Sequence, residues 1–519
     1  MTLDPRFADA FARLPDYLGS HVIISVTALV LGIGISLPLA VAATRSARLR
    51  WPLLAAASLV QTIPGLALLA LFYPLLLGLS ALTEQAFGAG FSALGFLPSV
   101  LALTLYSMLP VLRNTVTGIF GVDPAVSEAA LGVGMTPRQA LYMVELPLAL
   151  PVIMAGIRTS AVWVIGTATL STPVGQTSLG NYIFAGLQTQ NWVLVLFGCV
   201  AAAALALVVD QLLALMENGV ALRRRARVTF AGLGLALLVG AALAPSYGRM
   251  QATYVVGAKT FTEQYILAAL IQERLLANGL SSSRRDGLGS TVIFEALATG
   301  EIDVYVDYSG TIWANHMRRT DTKARKAVLA EVGQWLKAER GITMLGSLGF
   351  ENAYALGMRR DRAEQLGIKS IGDLVGRAPQ LSIGGDYEFF DRPEWAALRT
   401  AYGLNFRARR QMDSTFMYQA VATGEVDVIS AFSSDGRIAQ YDLVLLTDPK
   451  QALPPYDAIV MLSPRRADDD ALKRTLAPLI GNIDIELMQR TNLRADRARD
   501  KETPAQAARW LWGRISGGG

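Results

Sequence analysis

The sequence predicts two architectures in one chain: an all-α domain of six membrane spans, then an α/β domain of two lobes. Three observations predict them. Of 519 residues, 52% are hydrophobic and only 17% charged, with a mean hydropathy of +0.36; this is too apolar for a wholly soluble globule and far too apolar for disorder. Charge is nearly absent from long stretches of the first 250 residues and mixed throughout the rest, the contrast between lipid-facing and water-facing sequence. A ten-residue pattern also recurs in the second half at a constant offset of 124 residues, which points to two similar structural units.

Six apolar segments have the roughly 17 to 25 residues that a spanning helix needs. They centre on His21–Thr44, Leu53–Leu77, Leu94–Leu112, Leu146–Leu170, Trp192–Met216 and Phe230–Ala244. Arg45, Arg48 and Arg50 follow the first, Arg113 and Arg138 the third, and Arg223, Arg224, Arg225 and Arg227 the fifth, which makes these three loops cytoplasmic. The loops Thr83–Gly90 and Ser171–Asn191 carry almost no positive charge, and an even number of spans puts both termini on the outer side. The polar, acidic start and long first apolar run favour a retained signal anchor over a cleaved leader. The expected organisation is an extracytoplasmic segment 1–19, a five-span domain 20–217 with a cytoplasmic loop 114–145, a basic loop and sixth span 218–250, and an extracytoplasmic domain 251–519.

Other chemistries are disfavoured. The net charge of +5 is accounted for by arginines flanking spans rather than by a nucleic-acid surface. Cys199 is the single cysteine, so neither an intramolecular disulfide nor a Cys-based metal site is possible, and His21 and His316 are the only histidines. No metal cluster, nucleophile–base pair or cofactor fingerprint stands out, so no enzymatic site is expected. A Gly-x-x-x-x-Gly-Lys-Ser/Thr phosphate loop is absent from the sequence, and with it the cradle for ATP phosphates.

Within loop 114–145, Ser127-Glu128-Ala129-Ala130-Leu131-Gly132-Val133-Gly134 is followed after nine residues by Val144-Glu145-Leu146-Pro147. Small residues at 129 and 130 slim a helix face, Gly134 permits a turn, and Pro137 can open a second helix. The simplest alternative is an amphipathic loop with Gly and Pro marking turns. The pattern resembles the permease loop of ATP-binding-cassette importers, which implies a type I importer-like permease whose coupling helix docks into a cytoplasmic ATP-binding subunit. By that resemblance Glu128, Ala129 and Gly134 are coupling positions, a pair of separate ATPase subunits supplies the energy, and two copies of this chain form one pathway. Gln61-Thr62-Ile63-Pro64-Gly65-Leu66-Ala67-Leu68-Leu69 and Gly166-Thr167-Ala168-Thr169-Leu170 extend the resemblance to the osmoprotectant branch. Val174-Gly175-Gln176-Thr177-Ser178-Leu179-Gly180 departs from the Gly-rich run usual at the outer gate in that family.

From Tyr254 onward, short β-rich runs alternate with amphipathic helices. Tyr254-Val255-Val256-Gly257 reads as a first strand, and Thr262–Asn278 as a helix. The repeat pairs Ala296-Leu297-Ala298-Thr299-Gly300-Glu301-Ile302-Asp303-Val304-Tyr305 with Ala420-Val421-Ala422-Thr423-Gly424-Glu425-Val426-Asp427-Val428-Ile429. Each copy reads as a helix with a Gly cap running into a strand, followed three residues on by an aromatic, Tyr308 or Phe432. Facing lobes would set these two rings across a cleft at the strand ends, whereas an isolated aromatic at a strand end is commonly core packing.

Residues 251–519 resemble the extracytoplasmic binding proteins of glycine betaine, choline and carnitine importers. The matching pieces are Gly257-Ala258-Lys259-Thr260-Phe261-Thr262-Glu263-Gln264, Asp307-Tyr308-Ser309-Gly310-Thr311, Gly349-Phe350-Glu351-Asn352-Ala353-Tyr354, Ser434-Asp435-Gly436-Arg437 and Pro454-Pro455-Tyr456-Asp457-Ala458. The resemblance implies a two-lobed periplasmic-binding-protein fold of type II and an aromatic box at Tyr308, Tyr354, Phe432 and Tyr456. For a ligand carboxylate it offers Lys259, Thr311 and Arg392, with Asn352 beside them. A trimethylammonium group donates no hydrogen bond, and each aromatic face attracts it by about 0.5 to 2 kcal/mol. Phe432 stands where the family has tyrosine, so a hydroxyl is lost there. The expected function is the permease and receptor subunit of an importer for betaine-type osmoprotectants in the cytoplasmic membrane. Ergothioneine is an alternative cargo, and a membrane ligand sensor is an alternative of another class.

Overall fold

The computed structural model describes residues 5–88, 91–189, 191–247, 253–319, 321, 323–386, 388–497 and 500–517. The expected domain boundary at 250/251, the first four residues of the N-terminal segment, and positions 89, 90 and 190 of the two uncharged loops lie outside them. The chain divides into two compact units, one of apolar helices and one formed mainly by residues 251–519.

Among the described residues of the helical unit, six helices are long and apolar enough to cross a membrane: Ala10–Arg45, Gly65–Phe87, Phe96–Phe120, Pro137–Val174, Trp192–Ala221 and Arg225–Ala244. α1 (Pro5–Arg45) runs for 41 residues, about 60 Å at the rise of an α-helix, so helix precedes the apolar run at His21. The expected second span Leu53–Leu77 is divided into α2 (Ala47–Thr62) and α3 (Gly65–Phe87). Pro64 is the cause: its ring disfavours the helical conformation at the preceding residue, and Ile63 is extended at φ −73°, ψ 127°. α4 (Phe96–Phe120), α5 (Pro124–Gly132), α6 (Pro137–Ala140) and α7 (Leu146–Ala168) follow, then α8 (Gly180–Gln188), α9 (Trp192–Ala221) and α10 (Arg225–Tyr247).

Small residues set the close approaches, as expected where lipid offers no hydrophobic gain for helix association. A Cβ on Gly32 of α1 would lie 1.7 Å from Ser107 Oγ of α4, and one on Gly156 of α7 2.6 Å from Asn114 Cβ of α4. α7 is tied to α9 by Arg158, whose guanidinium donates to both oxygens of Asp210 at 2.6 and 2.8 Å. Pairing is what makes charges tolerable at such depth. In the 174–180 segment, Gly175 turns at φ 86° and Asn181 Oδ1 accepts from Ser178 N at 2.8 Å.

The described residues of the second unit form two five-stranded sheets. The first, in order β2-β1-β3-β10-β4, uses β1 (Tyr254–Lys259), β2 (Ser282–Leu288), β3 (Val304–Tyr308), β4 (Thr343–Glu351) and β10 (Asp457–Leu462). The second, in order β7-β6-β8-β5-β9, uses β5 (Tyr354–Arg359), β6 (Ser382–Gly385), β7 (Ala408–Gln411), β8 (Val428–Phe432) and β9 (Leu443–Leu445). In each sheet four strands run one way, and one strand, supplied by chain that has just crossed from the other lobe, runs against them: β10 between β3 and β4, β5 between β8 and β9.

The 124-residue repeat is visible in atomic detail. The helices α12 (Ser290–Ala298) and Ser414–Thr423 end before Gly300 at φ 76° and Gly424 at φ 78°, which lead into β3 and β8. Asp303 then accepts from Val255 N at 2.7 Å and Asp427 from Ser382 N at 2.8 Å, so each repeat carboxylate caps the neighbouring parallel strand.

Candidate binding cleft

Strand topology explains why the candidate residues meet. Tyr308 and Phe432 end β3 and β8, while Tyr354 opens β5 and Tyr456 immediately precedes β10. Register places Tyr354 opposite Phe432 and Ala458 opposite Tyr308. The ends of two parallel strands and the starts of two crossing strands therefore converge at one cleft between the lobes, where ligands bind in open α/β sheets. Tyr308, Tyr354, Phe432, Tyr456, Lys259, Thr311, Asn352 and Arg392 all line it.

The rings form a continuous series. Tyr354 lies 4.9 Å from Phe432 and 6.0 Å from Tyr456, centroid to centroid. Tyr308 and Phe432 are linked through Phe261, at 6.2 Å from the first and 6.5 Å from the second, nearly parallel to Phe432 at 3°. Phe261 was not singled out from the sequence as a cleft residue, although it precedes α11 (Thr262–Ala277) just beyond the end of β1, the same kind of position that marked Tyr308. Gly310 supports Tyr456 closely: a Cβ there would lie 2.6 to 2.7 Å from the ring carbons.

A carboxylate holds each tyrosine hydroxyl. Tyr308 donates to Glu263 at 2.5 Å, Tyr354 to Asp386 at 3.3 Å and Tyr456 to Glu394. Burial pushes all three phenols well above their ordinary range, so they remain neutral donors. Glu263 also accepts from Ser434 Oγ at 2.5 Å, Asn492 Nδ2 at 2.8 Å and Asn352 Nδ2 at 3.2 Å, which joins both lobes through one side chain. Burial raises its carboxyl while the bonds from Ser434, Tyr308 and Asn492 pull it down. Desolvation likewise raises Asp386. Phe432, lacking a hydroxyl, leaves none unpaired.

The two expected carboxylate-binding cations are already engaged. Lys259 Nζ is ion-paired with Asp307 and stands 5.5 Å from the Tyr308 centroid. Arg392 bonds Glu388 at 2.9 Å and Glu394 at 3.2 and 3.3 Å, with its guanidinium carbon 5.2 Å from the Tyr354 centroid. The Lys259 partner lies 48 residues away in the sequence, whereas both partners of Arg392 stand within four residues of it. Thr311 is buried in the turn following Tyr308, and Asn352 N donates to Tyr456 O at 2.9 Å, linking the two crossing segments.

Residues 252–512 match the family described as the substrate binding domain of ABC-type glycine betaine transport systems, and residues 32–222 match the inner membrane component of binding-protein-dependent transport systems. The chain belongs to the binding-protein-dependent ABC importers, with permease and binding domain fused. Among similar proteins, the ergothioneine transport permease/ergothioneine binding protein EgtU of Helicobacter pylori is 29% identical over 86% of this chain and 80% of its own length. The choline transport system permease protein OpuBB of Bacillus subtilis is 42% identical over 38% of this chain and 84% of its own. A glycine-betaine-binding protein of Pseudomonas aeruginosa is 32% identical over 49% of this chain and 86% of its own.

In the permease half of this importer chain, the expected coupling positions lie on a helix–turn–helix. Asp123 caps α5 by accepting from Ala125 N at 2.9 Å. Gly134 turns at φ 89°, a region most side chains avoid. Thr136 and Gln139 form a capping box that starts α6, with Pro137 in its first turn. Glu128, Ala129 and Gly134 are exposed while Ala130 is buried, so a polar, slim face is presented. Glu145, which closes the motif, is buried and accepts from Arg45 at 2.5 Å at the end of α1.

Proposed function

We propose that this chain is the permease and receptor of an ATP-driven importer for quaternary ammonium compounds, the ligand being held in the aromatic cleft between the lobes. The observation that carries the reading is the convergence of Tyr308, Phe261, Phe432, Tyr354 and Tyr456 on one cleft. Quaternary ammonium is recognised by such rings because it offers charge without a directional donor. Three or four faces at about 0.5 to 2 kcal/mol each are compatible with micromolar affinity once the costs of binding are met by other contacts.

In this reading the binding domain is extracytoplasmic, and ligand closes the lobes before delivery to the permease. Two copies of the chain form the pathway, and a pair of cytoplasmic ATPase subunits docks at Glu128, Ala129 and Gly134. The cargo is of the glycine betaine, choline or carnitine type; the similarity to the ergothioneine-named relative, which spans both domains, supports ergothioneine as a second cargo. Tyr308→Ala and Tyr456→Ala in the full chain test the cage. Each is expected to lower affinity for a trimethylammonium ligand tenfold or more, about 1.4 kcal/mol, and unchanged binding in both would remove its basis.

A further inference from the structure

We infer that the cleft selects quaternary ammonium compounds bearing a hydrogen-bond donor, an O–H or N–H, and discriminates against glycine betaine. This rests on the aromatic-cage reading and adds the polar half of the ligand to it. The side chains of the lining have spent their cations and kept acceptors. Lys259 is held by Asp307 and Arg392 by Glu388 and Glu394, while Arg437 donates to both oxygens of Asp435 at 2.9 and 2.6 Å. Among the described residues these are the three cationic side chains of the lining, against six carboxyl side chains. Among them no cationic side chain is left without a carboxylate partner to receive a ligand carboxylate.

Two amide oxygens are in the opposite condition. Asn352 and Asn492 both line the cleft, at 7% and 3% exposure. Each gives its amide N–H to Glu263, at 3.2 and 2.8 Å. A carboxylate acceptor on that side fixes which end of each amide is nitrogen. The two Oδ1 atoms are buried without a hydrogen-bond partner, a condition that buried polar atoms rarely keep. A ligand that donates a hydrogen bond satisfies them. Choline brings a hydroxyl close to the quaternary ammonium and no negative charge, whereas ergothioneine brings ring N–H groups together with a betaine carboxylate, so the donor alone sets it above glycine betaine. Glycine betaine brings a carboxylate and no donor, so it leaves the amides unpaired and sets its negative charge among carboxylates.

The test is titration of the full chain in lipid nanodiscs with tetramethylammonium, choline, ergothioneine and glycine betaine under one buffer and salt condition. The expected result is that choline or ergothioneine binds at least tenfold more tightly than both tetramethylammonium and glycine betaine. Asn352→Ala and Asn492→Ala are each expected to cut that advantage, read as the ratio to tetramethylammonium in the same variant, at least fivefold. Glycine betaine binding within tenfold of the tighter of the two, or an unchanged donor advantage in both variants, overturns the inference. If tetramethylammonium binds in that case, only this inference fails; if tetramethylammonium does not bind at all, the cage reading fails and this one falls with it.

Discussion

A methyl group added at Gly310 collides with the Tyr456 ring. The Cβ would sit 2.6 Å from Cε2 and 2.7 Å from Cδ1 and Cδ2, against about 3.5 to 4.0 Å for ordinary carbon contacts, so the ring must retreat by roughly 1 Å. Backbone strain is not at issue, because the residue lies in a helical turn where alanine is intrinsically favoured by about 1 kcal/mol. Tyr456 has little freedom to move: it is 2% exposed, bonds Glu394 and meets Tyr354 edge-on. Overpacking of this sort costs about 1 to 3 kcal/mol, and a misplaced ring forfeits one cation–π face worth about 0.5 to 2 kcal/mol. Gly310→Ala is therefore expected to weaken a trimethylammonium ligand by roughly 2- to 30-fold, measured by calorimetric titration of the full chain beside thermal melting. A folded Gly310→Ala chain with wild-type affinity would refute the reasoning, since it would mean that Tyr456 is not where the ligand is read.

Because Arg392 is clamped by Glu388 and Glu394, Arg392→Ala should weaken choline and glycine betaine to similar extents; a loss confined to carboxylated ligands in parallel titrations would restore it as a carboxylate receptor. Gly134→Ala places a side chain at φ 89° with nothing within 4 Å of the new Cβ, a backbone cost of about 1 to 2 kcal/mol. Uptake in cells is expected to fall while ligand titration stays unchanged, and equal uptake would count against a coupling role for that turn. Burial raises Asp496 from 3.8 to about 6, against the pull of Arg437. Between those pH values the unfolded chain releases this proton while the folded chain keeps it, so the residue's contribution to stability falls as pH rises through the window. Asp496→Asn should flatten that part of the melting-temperature profile, and a difference between the two chains that is constant from pH 4 to 7 would contradict the assignment.

Much of the architecture is legible because it is periodic or repeated. Apolar runs of spanning length mark the membrane helices, and the equal spacing of Gly300 and Gly424, Asp303 and Asp427, Tyr308 and Phe432 announces two lobes before any pairing is known. Helix continuity was less legible. Hydropathy alone carried the second span across residue 63, and it was the backbone restriction before Pro64 that divided the run. In the cleft, the sequence identified aromatic residues but not their environment. Phe261 stacks between rings contributed from strands far away in sequence. Lys259 reads as a free cation until Asp307 is brought beside it from 48 residues away, whereas Glu388 and Glu394 flank Arg392 in the sequence itself. Gly310 is one residue of a matching piece in the sequence, and only the approach of Tyr456 from the returning strand shows that it makes room for a ring.

The central claim is that the cleft reads positive charge through aromatic faces. Choline and its carbon isostere 3,3-dimethylbutan-1-ol share shape and hydroxyl and differ in charge, so their affinities for the full chain isolate that term. Three or four faces at about 0.5 to 2 kcal/mol each predict choline tighter by roughly tenfold at the least and by more than about ten-thousandfold at the upper end. Equal affinities for the two would mean that the rings of Tyr308, Tyr354, Phe432 and Tyr456 serve as an apolar wall rather than a cation receptor.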